Sequence, residues 1–441
     1  LLEAQRTWIE VDVDALRHNV AAIRDTLTPG TEILAVLKAN AYGVGASAVA
    51  KALLEEPSVV DVLGVAEARE GVALREAGLT DVPILVLGDS LEGELATLVD
   101  YSITPSLGSW ADGLRLQRVV AERGVERFPV HVLLETGMQR NGLNPHDLPR
   151  FLEAWRTSLP NLELEGLYTH LSTPAEESRA FTHRQIAMLL DAVARARSSG
   201  FVVPRLHAAS SAGMLNYPSA QFTMARLGLA MFGVDPGWRP PPDPLATIPS
   251  NVSPHHHERR HEAGSIESHP SRPLEQAPVR LVGINSLHAD SLHSSLAAGT
   301  RTLRPALAWR ARVISVRDVP AGTPVSYDRV TYTTEATRLA TLALGYADGL
   351  PRSFRDVGTI YLHDRSCRVM GRITMDYTVV DIGEIPNVQV GDVATIVGPN
   401  RAGKPLQRLE DVAAACATIP YEVLCRMGPR VWRRFLRQPS G

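Results

Sequence analysis

From about residue 8 to 233 the chain alternates short apolar runs with amphipathic stretches. The runs cover 32–38, 61–66, 82–88, 101–105, 129–135, 163–170, 203–208 and 225–233. Such runs read as strands buried on both faces. Between them lie helical patterns such as Glu67-Ala68-Arg69-Glu70-Gly71-Val72-Ala73-Leu74-Arg75-Glu76-Ala77-Gly78, which closes on a glycine stop signal. Eight strands with helical crossovers predict an α/β fold, an eight-stranded parallel β/α (TIM-type) barrel. An open doubly wound sheet is the competing arrangement, but no phosphate-binding glycine fingerprint follows a strand. In a barrel, chemistry collects at the C-terminal ends of the strands. Lys38, Glu135, Arg140, His170, His207 and Gly233 fall at or just past such ends.

The pattern then changes twice. Residues 234–302 open with Pro236-Gly237-Trp238-Arg239-Pro240-Pro241-Pro242-Asp243-Pro244, which continues neither a helix nor an internal strand. The segment reads as a flexible Pro/His-rich insertion. His255-His256-His257 and His261 have the composition of a transition-metal site, but a polar insertion carries such histidines incidentally, and no metal is assigned. From 303 to 441 alternating runs at 306–316, 339–344, 358–362 and 376–382 predict a second, mainly antiparallel β domain. It ends in a helix near 408–417, and a strand near 7–13 is positioned to join it.

Length and charge narrow the classes. A chain of 441 residues exceeds one ordinary domain. Its net charge of −3 argues against nucleic acid as a partner. No apolar run approaches the roughly 18 residues of a membrane span. The first residues lack a leader pattern, and Cys367, Cys416 and Cys425 read as reduced thiols, so a cytoplasmic protein is expected.

Of the 45 basic residues only three are lysine: Lys38, Lys51 and Lys404. Arginine keeps its proton in proteins and cannot serve as an amine nucleophile; lysine can. Lys51 reads as a solvated helix residue and Lys404 as a loop residue. Lys38 ends the buried run Ile33-Leu34-Ala35-Val36-Leu37 and is followed by small residues. That is the position of a chemical group, although a strand-end lysine can also snorkel to water.

Ala35-Val36-Leu37-Lys38-Ala39-Asn40-Ala41-Tyr42-Gly43 resembles the pyridoxal-phosphate lysine motif of alanine racemases. The resemblance continues through Glu135-Thr136-Gly137-Met138-Gln139-Arg140-Asn141-Gly142, Gly166-Leu167-Tyr168-Thr169-His170, Ala225-Arg226-Leu227-Gly228 and Val325-Ser326-Tyr327. It closes with Gly345-Tyr346-Ala347-Asp348-Gly349, Gly371-Arg372-Ile373-Thr374-Met375-Asp376 and Ile419-Pro420-Tyr421-Glu422-Val423. The motifs run in family order over nearly the whole chain outside 234–302.

The resemblance implies a pyridoxal 5'-phosphate enzyme that interconverts L- and D-alanine with one base on each face of the substrate. Lys38 matches the lysine that holds the cofactor and serves as one base; its amine must be neutral to act, well below the ordinary ~10.4. Tyr327 matches the opposite base. Arg226 matches the residue facing the pyridine nitrogen, and His170 its orienting partner. Tyr42, Ser211 and Tyr421 match hydroxyls that hold the phosphate, with the backbone near Gly228. Arg140 matches the arginine shared by cofactor and substrate carboxylate; Met375 and Tyr346 match substrate contacts. In the family the groups matching Tyr327, Tyr346 and Met375 reach into the partner's barrel, which implies a homodimer with shared sites.

The chain departs from the usual pattern at several points. Leu133 stands where many members carry a lysine that becomes carbamylated and braces the arginine matching Arg140. Leucine carries no anion, so Arg140 is left to lean on Glu135, a bound anion or nothing. Val44, Gln139, Ser210 and Asp328 replace a usual histidine, glycine, asparagine and glycine. Alternative readings are a racemase for another amino acid such as serine, and a non-catalytic pyridoxal-phosphate-binding protein. Retention of Tyr327 and of 345–349 speaks against the latter.

Overall fold

The computed structural model describes residues 4–175, 179–238, 303–355, 357–400 and 402–437. Of the expected insertion, residues 239–302, with the histidine cluster, lie outside the described residues. The strands before residue 238 are β1 (Thr7–Asp12), β2 (Glu32–Val36), β3 (Val62–Val65), β4 (Ile84–Val86), β5 (Ser106–Leu107), β6 (Phe128–Leu133), β7 (Leu162–Tyr168), β8 (Arg205–His207) and β9 (Met224–Leu227).

Strands β2 to β9 form two four-stranded parallel sheets, β4-β3-β2-β9 and β5-β6-β7-β8. Every residue of β3, β4 and β9 is buried, as a strand covered on both faces requires. Backbone hydrogen bonds join the sheets at both junctions. Between β4 and the segment before β5, Val86 N donates to Thr104 O and Thr104 N to Ile84 O, each at 2.9 Å. Between β8 and β9, Arg226 N donates to Ala209 O at 2.9 Å and Thr223 N to Leu206 O at 3.2 Å.

Two apolar runs behave differently from their pattern. The run 101–105 begins as the exit of helix Glu92–Asp100, where Ser102 adopts φ 51°, and the strand comes only at Ser106–Leu107. The run 225–233 is strand only to Leu227; Leu229–Phe232 is a buried 3₁₀ turn, because apolarity reports burial and not strand geometry.

In the second region, β10 (Leu307–Val319) is the centre of the sheet. It pairs antiparallel with β1, Thr337–Leu342 and Val393–Pro399. On the far side of β1, Trp432–Leu436 runs parallel to it. The region is mainly β, with helices Leu409–Ala415 and Pro420–Cys425.

Helix Val13–Arg24 links the regions. Its N-cap is Asp12, whose Oδ1 accepts from Ala15 N at 2.8 Å. Its apolar stripe of Val13, Leu16, Val20 and Ile23 is buried at helical spacing. On the same helix Asn19 is fully buried. Its Nδ2 donates to Met231 O at 3.1 Å and Arg304 O at 2.7 Å, and its Oδ1 accepts from Arg304 N at 2.7 Å. Asn19→Ala strands these groups and is expected to destabilise the protein by about 3 kcal/mol, read as a lower denaturation midpoint with unchanged slope. A midpoint equal to that of the parent chain would refute the pinning role.

Candidate active site

Lys38 stands one residue past the buried end of β2, after Leu37. The next four residues, Ala39, Asn40, Ala41 and Tyr42, adopt φ of 53°, 55°, 52° and 57°. Left-handed backbone costs about 1–2 kcal/mol for each non-glycine residue. Local bonds oppose that cost. The Glu70 carboxylate accepts from Ala39 N at 2.6 Å and Ala66 N at 2.8 Å. Asn40 Oδ1 accepts from Ala46 N at 2.8 Å. Gly43 ends the turn at φ 85°, where a Cβ would lie 2.6 Å from Leu424 O. The turn buries Tyr42 and leaves Lys38 facing a cavity.

That cavity, about 580 Å³, is lined by Lys38, Tyr42, Arg140, His170, Ser211, Arg226, Gly228 and Tyr421. All eight residues named from sequence as cofactor contacts therefore meet at one place. Gly228 shows how it is shaped. A Cβ there would lie 3.0 Å from Tyr42 OH, 3.5 Å from Tyr421 OH and 3.6 Å from Ser211 Oγ. The missing side chain leaves a space ringed by three hydroxyls, and Gly228 N donates to Ser211 Oγ at 2.9 Å. A group with several acceptor oxygens, such as a phosphate, fits that donor set.

Arg226 is buried, yet among the described residues no carboxylate touches it. Its NH1 donates to His207 Nδ1 at 2.8 Å; its NH2 meets Ala208 O at 2.8 Å, Thr169 O at 2.9 Å and His170 Nδ1 at 3.0 Å. Burial, then the charges of Arg226, Arg140 and Lys38, lowers His170 from 6.5 to about 3. Burial, then Arg226, holds His207 well below the ordinary histidine range. Both rings are neutral acceptors at neutral pH. Burial lowers Arg226 itself to about 10, so it stays a cation. Lys38 is lowered by burial, then by Arg140 and Arg226, against an opposing pull from Glu70.

Of the braces left open for Arg140, Glu135 does not meet its side chain. The Glu135 carboxylate accepts backbone N–H groups of Gly137 and Arg140, the latter at 3.2 Å, and so caps the loop. The Arg140 Nε instead donates to Asn141 Oδ1 at 3.3 Å. Leu133 is buried beside it in the cavity wall. Gln139 adopts φ 55°, which accounts for glycine being usual there.

Tyr327, Tyr346 and Met375 do not line this cavity. They lie in the β region and are 68%, 43% and 52% exposed. Tyr327 sits in a tight turn with Ser326 at φ 65° and Asp328 at φ 63°. Ser326 Oγ donates to Arg372 O at 2.6 Å, and Asp328 pairs with Arg372 Nε at 2.8 Å. Asp328 thus occupies the left-handed position natural to glycine.

Sequence reasoning placed His207 at a strand end without a role and passed over Glu70 and Asn141. Glu70 looked like one more charge in an amphipathic helix. A carboxylate two residues into a helix that starts just past a strand end was the available signal.

An alanine racemase N-terminal-domain model matches residues 11–236, and an alanine racemase C-terminal-domain model matches 306–435. The alanine racemase of Halothermothrix orenii is 31% identical over 99% of this chain and 98% of its own. Among solved structures, the alanine racemase of Clostridium difficile 630 superposes with a TM-score of 0.78 at 27% identity, over 98% of this chain and 96% of that one. The Bartonella henselae enzyme, solved with covalently bound pyridoxal phosphate, has a TM-score of 0.74 at 24% identity, covering 98% and 99%.

The buried imidazoles make stability depend on pH. His170 binds its proton at about 3 when folded and near 6.5 when unfolded, so between these values the unfolded chain holds the extra proton. Its contribution is complete above pH 6.5 and is lost as pH falls through that window. Each such histidine is expected to give a slope of about 1.4 kcal/mol per pH unit. Denaturant unfolding of His170→Gln should show a shallower acid slope by about one proton; an unchanged slope would contradict the neutral burial of this ring.

Proposed function

This chain belongs to the alanine racemase family, and from that membership we propose how its residues carry out the reaction. The protein is a pyridoxal-phosphate-dependent isomerase that interconverts L- and D-alanine. The observation that carries the residue assignment is the single cavity in which Lys38, Arg226 and three hydroxyls around Gly228 meet.

Lys38 would hold the cofactor covalently. Tyr42, Ser211 and Tyr421 would hold its phosphate, Arg226 would face its ring nitrogen, and Arg140 would serve both cofactor and substrate carboxylate. When bound, the cofactor supplies an electron sink for the charge left on the substrate α-carbon. Lys38 Nζ takes or returns the α-proton on one face, and burial, then the nearby guanidinium charges, favours the neutral amine that this needs. His170 keeps Arg226 in place by accepting from it.

The second proton carrier is Tyr327 of the partner subunit, in a homodimer with shared sites. Tyr327, Tyr346 and Met375 are exposed and stand outside their own chain's cavity, which supports this arrangement. Met375 and Tyr346 then contact substrate. The two parallel sheets are read as one closed eight-stranded β/α barrel, supported by the hydrogen bonds at both junctions. The domains follow: 8–233 the barrel, 234–302 an insertion, and 303–441 the β domain, to which β1 contributes. A reducing cytoplasm fits the three unpaired cysteines.

The test is α-proton exchange in heavy water, with L- and D-alanine supplied separately and product chirality analysed. Exchange with inversion from both enantiomers is expected; no exchange from either would overturn the assignment. Tyr327→Phe should lower exchange by at least about 100-fold, and from one enantiomer more than the other. Equal losses would contradict one base on each face. Lys38→Ala should abolish the absorbance of the lysine-bound cofactor, and an unchanged spectrum would move the attachment site.

A further inference from the structure

A chain of side-chain contacts leaves the cavity and runs across strands of both parallel sheets. Arg226 on β9 donates from NH1 to His207 Nδ1, at the end of β8, at 2.8 Å. His207 Nε2 meets His131 Nδ1, on β6, at 2.9 Å. His131 Nε2 meets Glu165 Oε2, on β7, at 3.2 Å. Arg205 on β8 then donates to Glu165 Oε1 at 2.6 Å and, through Nε, to Glu32 Oε2 on β2 at 2.7 Å. His131 and His207 are 2% and 0% exposed, and neither His131 nor Glu165 lines the cavity.

The chemistry of the two ends fixes the direction of every bond between them. A guanidinium has only donors, so His207 Nδ1 carries no proton and accepts. Its proton then sits on Nε2 and points at His131 Nδ1, which must accept in turn. The His131 proton sits on its own Nε2 and points at Glu165. An ionised carboxylate only accepts, so the chain closes without conflict. We infer that Glu165 is a positioning residue for Arg226, acting through the tautomers of His131 and His207. The inference rests on the proposed reading that Arg226 faces the cofactor ring.

Independent features agree. Burial, working against the Glu165 hydrogen bond, keeps His131 below the ordinary histidine range, so both rings are neutral. Against the upward pull of burial, His131 and Arg205 hold Glu165 below the usual carboxylate range. Gly166 makes room: a Cβ there would lie 2.5 Å from the His131 ring. The Tyr168 ring stacks on His207 with centroids 4.4 Å apart and planes 5° from parallel, which fixes the plane in which Nδ1 meets Arg226. Among the described residues no carboxylate touches Arg226, and Glu165 is an anion reached along its own hydrogen bonds.

Without the acceptor at 165, His131 can place its proton on Nδ1, where it opposes the His207 proton. One ring must then turn over, and His207 Nδ1 no longer presents a lone pair to Arg226. Glu165→Leu removes the acceptor; Glu165→Gln keeps a carbonyl oxygen for His131 and removes the charge. The readout is the ¹⁵N spectrum of histidine-labelled, full-length, cofactor-loaded protein at neutral pH, together with kcat and KM for L-alanine. In the parent chain His131 and His207 are expected as neutral Nε2–H tautomers. Glu165→Leu should mix those tautomers and lower kcat roughly tenfold with KM within about twofold, and Glu165→Gln should recover most of both. Parent tautomers retained in Glu165→Leu, or a Glu165→Gln no better than Glu165→Leu, would overturn the proposal. If Glu165→Leu fails to fold, the Glu165→Gln spectrum decides alone: Nε2–H tautomers at both rings support it and mixed tautomers refute it. The two readings fail separately. A parent chain that does not racemise alanine removes the functional reading, while the tautomers still judge the contact chain.

Discussion

Burial, together with a buried guanidinium that no carboxylate among the described residues touches, sets the protonation of the groups around it. Burying a cation is costly unless its donors are met, and Arg226 meets acceptors that are all neutral: two imidazoles and two carbonyls. Burial first, and then the charge of Arg226, keeps His170 and His207 neutral; burial, then Arg140 and Arg226, pushes Lys38 towards the free amine. The Tyr168 ring, 5.5 Å from the guanidinium, adds a polarisable face without adding charge.

The second constraint is in the backbone. Left-handed non-glycine residues gather beside the candidate groups: Ala39 to Tyr42 after Lys38, Gln139 before Arg140, and Ser326 and Asp328 around Tyr327. Such conformations persist where surrounding bonds over-determine them. Glu70 supplies those bonds at the first site, Glu135 at the second and Arg372 at the third. In each case a polar group is committed to holding the chain in the turn.

The parallel strands were legible because strands covered on both faces must be apolar throughout, and functional groups stood out as the polar residues that end them. Lys38 was legible for the added reason that arginine has taken nearly every other basic position. What escaped was whatever depends on pairing. Trp432–Leu436, with two arginines in five residues, carries no strand pattern; it is held by the backbone of β1. His131 and Glu165 read as isolated polar interruptions of apolar strands, since nothing in one sequence says that β6 and β7 bring them to the same point. Which of Glu135, a bound anion or nothing would meet Arg140 was not legible either: a carboxylate near an arginine suggests an ion pair, whereas Glu135 is satisfied first by the backbone that follows it.

Leu133 bears on the charge of the cavity as a whole. Lys38, Arg140 and Arg226 all line it, and among the described residues Asp235 is the one carboxylate in its wall. A carbamylated lysine at position 133 would have contributed an anion beside Arg140; a buried leucine contributes none. Arg140 is left with the neutral oxygen of Asn141, a weaker partner than an anion. The cavity wall therefore sets three basic side chains against one carboxylate. On the proposed reading, a phosphate at the hydroxyl ring and a carboxylate at Arg140 would supply the missing negative charge. The work of ordering Arg140 would then fall to its ligands and not to an anion built into the protein.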